Sequence, residues 1–126
     1  MKIVGHPWIE SERFMAVDSM EKITGSPAAS ILLFDDLPGS IELLHYCQKE
    51  GLPFALRAGE AKTALFAHAL NARYVIAEQA IVQSVQELAQ NYLFDTQILV
   101  EIQNENEIDK YARMGIDGVI FSAAIE

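Results

Sequence analysis

Short apolar runs alternating with amphipathic segments constrain the fold of this chain more than any other feature of its sequence. Six runs start 17 to 24 residues apart, are too short for buried helices, and consist mostly of β-branched or aromatic residues. The runs are Phe14–Val17, Ile31–Phe34, Phe54–Leu56, Tyr74–Ala77, Ile98–Ile102 and Val119–Phe121, and Lys2–Val4 is a further opening strand. Runs that are apolar on both faces are typical of parallel strands covered by helices on both sides.

The segments between these runs have the three- and four-residue apolar spacing of helices. Gln79–Phe94 carries one apolar stripe, and Asn104–Met114 carries a shorter one with Asn104 and Glu107 placed as a capping box. Pro38-Gly39-Ser40 is predicted to open another helix, which Gly51 ends. Asp18 and Glu21 have the same spacing ahead of a short helix that ends at Gly25.

A repeated strand–helix order at this pitch predicts an α/β fold with a parallel sheet of five or six strands. Two closures of that sheet remain open. One is a flavodoxin-like open sheet with helices on both faces, which we favour. The other is a half TIM barrel that must dimerise to cover its exposed edge strands. The 126 residues form a single domain in either case, with an opening strand and short helix in residues 1–28 and the core in residues 29–126.

Composition limits the partners of the chain. Its nine basic and 18 acidic residues give a formal charge of −9, which argues against nucleic acid or an anionic membrane as partner. The lone Cys47 excludes an internal disulfide and a cysteine-based zinc site. We find no export signal and no long apolar stretch, and we therefore expect a cytoplasmic protein.

Charged residues at the carboxyl ends of the predicted strands are the candidate site. Ligands bind at these ends in both closures of the sheet. The carboxylates form a candidate acidic cluster, and a guanidinium is its candidate ion-pair or anion partner: the residues are Asp35, Asp36, Glu78 and Glu101, with Arg57. Carboxylates held together need a cation or a proton to relieve their repulsion, so a divalent metal such as Mg²⁺ is one candidate for that cation and Arg57 is another. The alternative is that these acids are solvated loop residues or helix caps without a role.

Residues 29–123 resemble a response-regulator receiver domain. The segment ILLFDDLPGSIELLHYCQKEG is similar to the first strand, acidic pair and first helix of that family, and NARYVIAE stands where its phosphoacceptor strand ends. The segment ENEIDKYARMGIDGVIFSA is similar to the fourth helix and fifth strand. The resemblance implies that Asp35 and Asp36 are the Mg²⁺ pair and that Glu78 stands at the phosphoacceptor position.

The chain departs from the receiver pattern at the residues that carry out phosphorelay. Glu78 replaces the aspartate, Glu101-Ile102 stands in place of the expected hydroxyl, and Phe121-Ser122-Ala123 lacks the expected lysine. A second, shorter resemblance joins ILVEIQNENEIDKYARMGIDGVIF to late strand–helix units of phosphate-handling TIM barrels such as indole-glycerol-phosphate synthase.

Two functions from different classes are therefore expected. The first is a non-enzymatic regulatory or protein-interaction module, a degenerate receiver-like domain that acts through its surface and associates with a protein partner or with itself as a homo-oligomer. The alternative is a Mg²⁺-dependent enzyme or binding protein for a phosphorylated small molecule, which would use the acidic cluster.

Overall fold

Strands and helices alternate along the whole chain in the computed structural model, which describes residues 1–126. The strands are β1 (Lys2–Val4), β2 (Phe14–Ala16), β3 (Ile31–Phe34), β4 (Phe54–Ala58), β5 (Tyr74–Ala77), β6 (Gln97–Ile102) and β7 (Gly118–Phe121). The helices are α1 (Met20–Gly25), α2 (Leu37–Glu50), α3 (Ala61–Ala69), α4 (Val82–Asn91) and α5 (Ile108–Arg113), with short 3₁₀ turns at Glu105–Glu107 and Ser122–Ala124. None of the helices combines the length and the hydropathy that a membrane-spanning segment needs.

All seven strands join one parallel sheet in the order β1-β7-β6-β5-β4-β3-β2. From β2 to β7 each strand lies beside its predecessor in the chain. Phe14 in β2 also forms a parallel bridge with Ile125, and Ala16 N–H donates to the Glu126 carbonyl at 2.9 Å. The last residues of the chain therefore contact the edge strand farthest from β1, so the sheet curls round on itself.

The two faces of the curled sheet pack in different ways. The outer face and the helices form one apolar cluster, which includes Phe34, Leu44, Ala67, Val85 and Tyr111. The inner face forms a second cluster of nine buried side chains, and every one of them comes from a strand. The inner members are Val4, Phe14, Ile31, Leu33, Ala55, Tyr74, Ile76, Leu99 and Ile120. The inside of the sheet is thus filled by its own side chains, as in a barrel.

The predicted parallel α/β fold is confirmed, and the strand count is seven, since the opening segment Lys2–Val4 pairs with β7. Two details differ from the arrangement that we favoured. The strands follow chain order rather than the flavodoxin order, and the helices cover the outer face only. The sequence pattern does not distinguish these arrangements, because a strand is apolar on both faces whether its second face packs against helices or against the interior of a curled sheet.

Local signals placed most element ends. Gly51 ends α2 with φ of 69°, and Asn104 and Glu107 form the predicted capping box. The predicted start of the first helix was wrong, because Ser19 rather than Asp18 caps α1. The Ser19 hydroxyl accepts a hydrogen bond from the Lys22 N–H at 3.3 Å. Asp18 instead pairs with the Lys22 side chain at 3.0 Å.

Candidate functional site

Four of the five predicted site residues line a single pocket at the carboxyl ends of β3 to β6. Each follows an inner-face residue by two positions: the pairs are Leu33 and Asp35, Ala55 and Arg57, Ile76 and Glu78, and Leu99 and Glu101. Because side chains alternate along a strand, this spacing directs all four toward the same side of the sheet. The four charged residues therefore form the last layer above the apolar interior.

Arg57 is the centre of this layer. Its Nε lies 2.7 Å from Asp35 Oδ1, and its Nη1 donates to Glu101 Oε1 at 2.6 Å. The Asp35 side chain is 69% exposed, whereas Glu101 is 31% exposed. One guanidinium thus joins strands β4 and β6 and the end of β3, and the bond to Glu101 is the more protected of its two ion pairs.

These contacts shift the ionisation of both partners. Burial raises the pKa of Glu101, but hydrogen bonds from Arg57 and Ser122 and the charge of Arg57 outweigh it and hold the pKa below its usual 4.5. Burial likewise lowers the pKa of Arg57, and Glu101 and Asp35 more than compensate, so that pKa is raised. The pair therefore stays charged throughout the neutral pH range.

Glu78 lines the same pocket from the end of β5 and approaches β4. A Cβ on Gly59 would lie 3.1 Å from Glu78 Oε1, so the glycine makes room for this carboxylate. The pocket has a volume of about 370 Å³, and Gln79 and Gly59 also line it. Sequence reasoning did not single out these two residues, although each directly follows or lies next to a strand end.

Asp36 is the predicted site residue that does not join the others. It precedes α2 as its N-cap residue, does not line the pocket, and has a carboxylate oxygen 2.5 Å from where a Cβ on Gly39 would lie. Consecutive residues alternate in direction, so Asp36 points away when Asp35 points in.

The structure brings together no three His, Cys, Asp or Glu side chains that could hold a metal ion. Asp35 binds Arg57 and Asp36 lies outside the pocket, so the two residues do not form a common pair of Mg²⁺ ligands in this conformation. Magnesium at this position stays a prediction from the sequence.

A second polar cluster, which sequence reasoning missed, lies at the opposite end of the sheet. Tyr74 O–H donates to Glu12, Lys2 Nζ donates to Tyr74 Oη at 2.6 Å, and Arg73 Nη1 donates to Glu12 Oε2 at 2.9 Å. Burial raises the pKa of Glu12, but its three donors outweigh that effect and lower it. Lys2 and Tyr74 begin their strands, so this cluster closes the amino end of the sheet.

An apolar groove with a volume of about 490 Å³ lies on the outer surface, between α5 and the β1–β2 connection. Ile3, Ile9 and Ile108 supply much of its wall, and Trp8 beside it is 90% exposed. Trp8 lies in a tight turn, in which the Ile9 N–H donates to the His6 carbonyl at 3.0 Å. We call this feature the β1 groove.

Comparison with known proteins adds no family to this description. No family model matches the chain, and no curated protein matches it significantly. The fold and the two surface features therefore define a parallel α/β protein with a charged strand-end pocket and a separate apolar groove.

Proposed function

We propose that this chain is a non-enzymatic regulatory or protein-interaction module that binds a protein partner through the β1 groove. The observation that carries the proposal is Trp8, a large apolar side chain held 90% exposed beside a groove lined by Ile3, Ile9 and Ile108. Exposed apolar patches on otherwise well-packed proteins mark interaction sites, and tryptophan is enriched among the residues that dominate binding energy.

The charged pocket supports a non-enzymatic role in this proposal. Asp35 and Glu101 both bind Arg57, so the one cation that lines the pocket is committed to two ion pairs. A group committed to two ion pairs is less available to a substrate. In the receiver-like interpretation, the replacement of the phosphorelay residues favours the same conclusion. Self-association and a cytoplasmic location belong to the proposal, the latter because the single Cys47 is an unpaired thiol.

Site-specific photo-crosslinking in native cells tests this function. A benzophenone amino acid replaces Trp8 in one variant and Glu42, an exposed residue of α2, in the control. We expect a discrete crosslinked protein, identifiable by mass spectrometry, from position 8 and not from position 42. A product containing only this chain would support the interaction function through self-association, and it would exclude a basic partner helix as the occupant of the groove. Equal labelling from both positions, or none from either, would contradict the proposal.

A second candidate function is binding or turnover of a phosphorylated small molecule with Mg²⁺. The observation that favours it is the convergence of Asp35, Arg57, Glu78 and Glu101 on one pocket of about 370 Å³. Pockets of this size accommodate small ligands. Calorimetric titration with MgCl₂ should give saturable heat in the wild type that D35N loses and the surface variant D109N retains. Absence of binding in the wild type would remove this candidate.

A further inference from the structure

The β1 groove occupies a position that a helix fills elsewhere around the sheet. The connections from β3 to β4, β4 to β5, β5 to β6 and β6 to β7 each contain a helix that packs on the outer face. The connection from β1 to β2, residues 5–13, contains none. Ile3 points outward from β1, beside Ile108 and Ala112 of α5, and lines the groove. The helical layer therefore has a gap above β1.

We propose that the β1 groove binds an amphipathic α-helix of a partner protein, with apolar residues on its buried face and Lys or Arg along its edges. This inference rests on the proposed function and specifies the chemistry of the partner. A helix in this gap would lie beside α5 in the way that neighbouring helices of one layer pack, with axes about 8–10 Å apart. Its contacts would follow the i, i+3, i+4 spacing of helix-in-groove recognition.

The structure holds Trp8 in place ahead of binding. The backbone N–H of Trp8 donates to His6 Nδ1 at 3.2 Å, and the two rings meet edge to face with centroids 5.0 Å apart. His6 is fixed in turn by Glu105, whose Oε2 lies 2.9 Å from His6 Nε2, and by contact with Phe121. Because the backbone of this turn is already ordered, less conformational entropy is lost when Trp8 binds a partner.

Charge selects a basic partner. Glu105 and Asp109 lie at the rim of the groove, and no Lys or Arg lines it. Each of these carboxylates uses one oxygen in a bond within the chain, to His6 and Arg113 respectively, and both side chains are mostly exposed. The net charge of −9 adds a long-range attraction for a basic segment.

The same charges disfavour a second copy of this chain as the occupant. A symmetric dimer through this face would use the same patch on both copies. Glu105 and Asp109 of each copy would then approach the same acidic rim, in a chain with twice as many acidic as basic residues. A basic helix avoids this repulsion.

Trp8 is the only tryptophan of the chain, so its fluorescence reports directly on the groove. The probe is a synthetic peptide of about 18 residues, long enough to form a helix, with Leu at i, i+3, i+4 and i+7 positions and Lys on the flanks. Control peptides carry a scrambled order of the same residues, or Glu in place of Lys. We expect a saturable blue shift of Trp8 emission with the Lys peptide alone.

Two charge-reversal variants locate the binding site. D109K changes the groove rim, and E42K makes the same change in charge on the exposed surface of α2. We expect D109K to weaken peptide binding by about two- to fivefold, the range of an exposed ion pair, and E42K to leave it unchanged. Circular dichroism of both variants confirms that they are folded. Added salt should weaken binding to the wild type.

Three outcomes would overturn the inference: no shift with the Lys peptide, an equal shift with either control peptide, or equal affinities of D109K and E42K. These results are distinct from failure of the proposed function. If position 8 crosslinks a partner and the Lys peptide does not bind, the groove is an interaction site for another kind of partner. If position 8 crosslinks nothing, the interaction function itself fails.

Discussion

Arg57 shows how one residue organises the carboxyl end of the sheet. It binds Asp35 and Glu101, which reach it from different strands. Sequence reasoning identified all three residues from their positions at strand ends. Glu101 has the same parity as Leu99 and therefore lies on the inner side of the sheet. The alternation of side chains along β6 predicts that Glu101 and Leu99 share one face, but only the curl of the sheet decides that this face is the inner one.

Replacing Arg57 should make the free energy of unfolding depend less on pH in the acidic range. We expect R57Q to lower the free energy of unfolding by about 1–2 kcal/mol at pH 7, since it leaves two carboxylates without their cation. The pKa of Glu101 is depressed in the folded state, so its pairing stabilises the fold above the usual pKa of 4.5 and is lost as pH falls below it.

Urea denaturation of the wild type and R57Q at several pH values checks this prediction. The difference in free energy of unfolding between the two proteins should be largest above about pH 5 and should decrease as the medium becomes more acidic. R113Q, which removes an exposed i,i+4 pair with Asp109, is the control and should change stability by about 0.5 kcal/mol or less. A gap that widens in acid would refute this account of Glu101.

Tyr111 is buried and its hydroxyl has no hydrogen-bond partner. We expect Y111F to leave thermal stability unchanged or to raise it by up to about 1 kcal/mol, because the phenylalanine removes an unsatisfied polar group. Y74F makes the same chemical change at a hydroxyl that binds both Glu12 and Lys2, and should cost about 1–3 kcal/mol. Comparable losses in the two variants would show that the Tyr111 hydroxyl has a partner.

At the scale of elements, helices α2 to α5 end in the same C-terminal capping motif. Beyond the end of each of α2 to α5, one residue adopts the left-handed conformation and an apolar residue follows it directly. The backbone N–H of that apolar residue donates a hydrogen bond to a carbonyl in the last turn of the helix. The bonds run from Leu52 to Cys47, from Ala72 to Ala67, from Phe94 to Ala89 and from Ile116 to Tyr111. The left-handed residue that precedes each donor is Gly51, Asn71, Leu93 or Gly115. This is the Schellman arrangement, in which glycine and asparagine are favoured.

Leu93 departs from that preference, with φ of 53° and 84% exposure. We expect L93N to raise the free energy of unfolding by about 0.5–1 kcal/mol, because asparagine adopts the left-handed conformation at lower cost and little burial is lost. The reciprocal variant N71L, at the equivalent position of α3, should lower stability by a similar amount. Chemical denaturation of both measures the effect. A loss of stability in L93N would indicate that the Leu93 side chain makes a stabilising contact.

The elements were largely predictable, because their signals are local. The strands Ile31–Phe34 and Tyr74–Ala77 have the bounds expected from their apolar runs, and the α2 boundaries follow from Pro38 and Gly51. Predicted helices were longer than the observed ones, as in Gln79–Phe94 against Val82–Asn91, since an apolar stripe continues through the turns that flank a helix. The strand-end positions predicted four of the charged residues in the pocket, but not its Gly59 and Gln79, and Asp36 lies outside it because its direction depends on where the strand ends.

At the scale of the whole molecule, residues near both ends of the sequence meet where the curled sheet closes. Gly5 follows β1 with φ of 95°, and a Cβ there would lie 2.5 Å from Ala124 Cβ. The C-terminal residues that follow Ala124 pair with β2, and Arg13 binds the Glu126 side chain at 2.6 Å. Gly5 thus lets the first strand and the last turn approach where the sheet closes.

We expect G5A to lower the melting temperature and the free energy of unfolding, by about 2–4 kcal/mol, through backbone strain together with the steric clash. G25A is the control, because nothing lies within 4 Å of a Cβ there, and it should be neutral or slightly stabilising at the end of α1. Equal stability of G5A and the wild type would mean that this approach is not required for folding.

The sequence by itself determined the class of fold, the positions of the strands and most helix ends, and the charged residues at the strand ends. These features depend on residue spacing within about 20 positions, which the order of residues states directly. Only the tertiary structure decided that the sheet curls in chain order, that Arg57 joins Asp35 to Glu101, and that the helical layer has a gap above β1. Those features depend on which strands become neighbours, and the same apolar strands can satisfy their burial in more than one order.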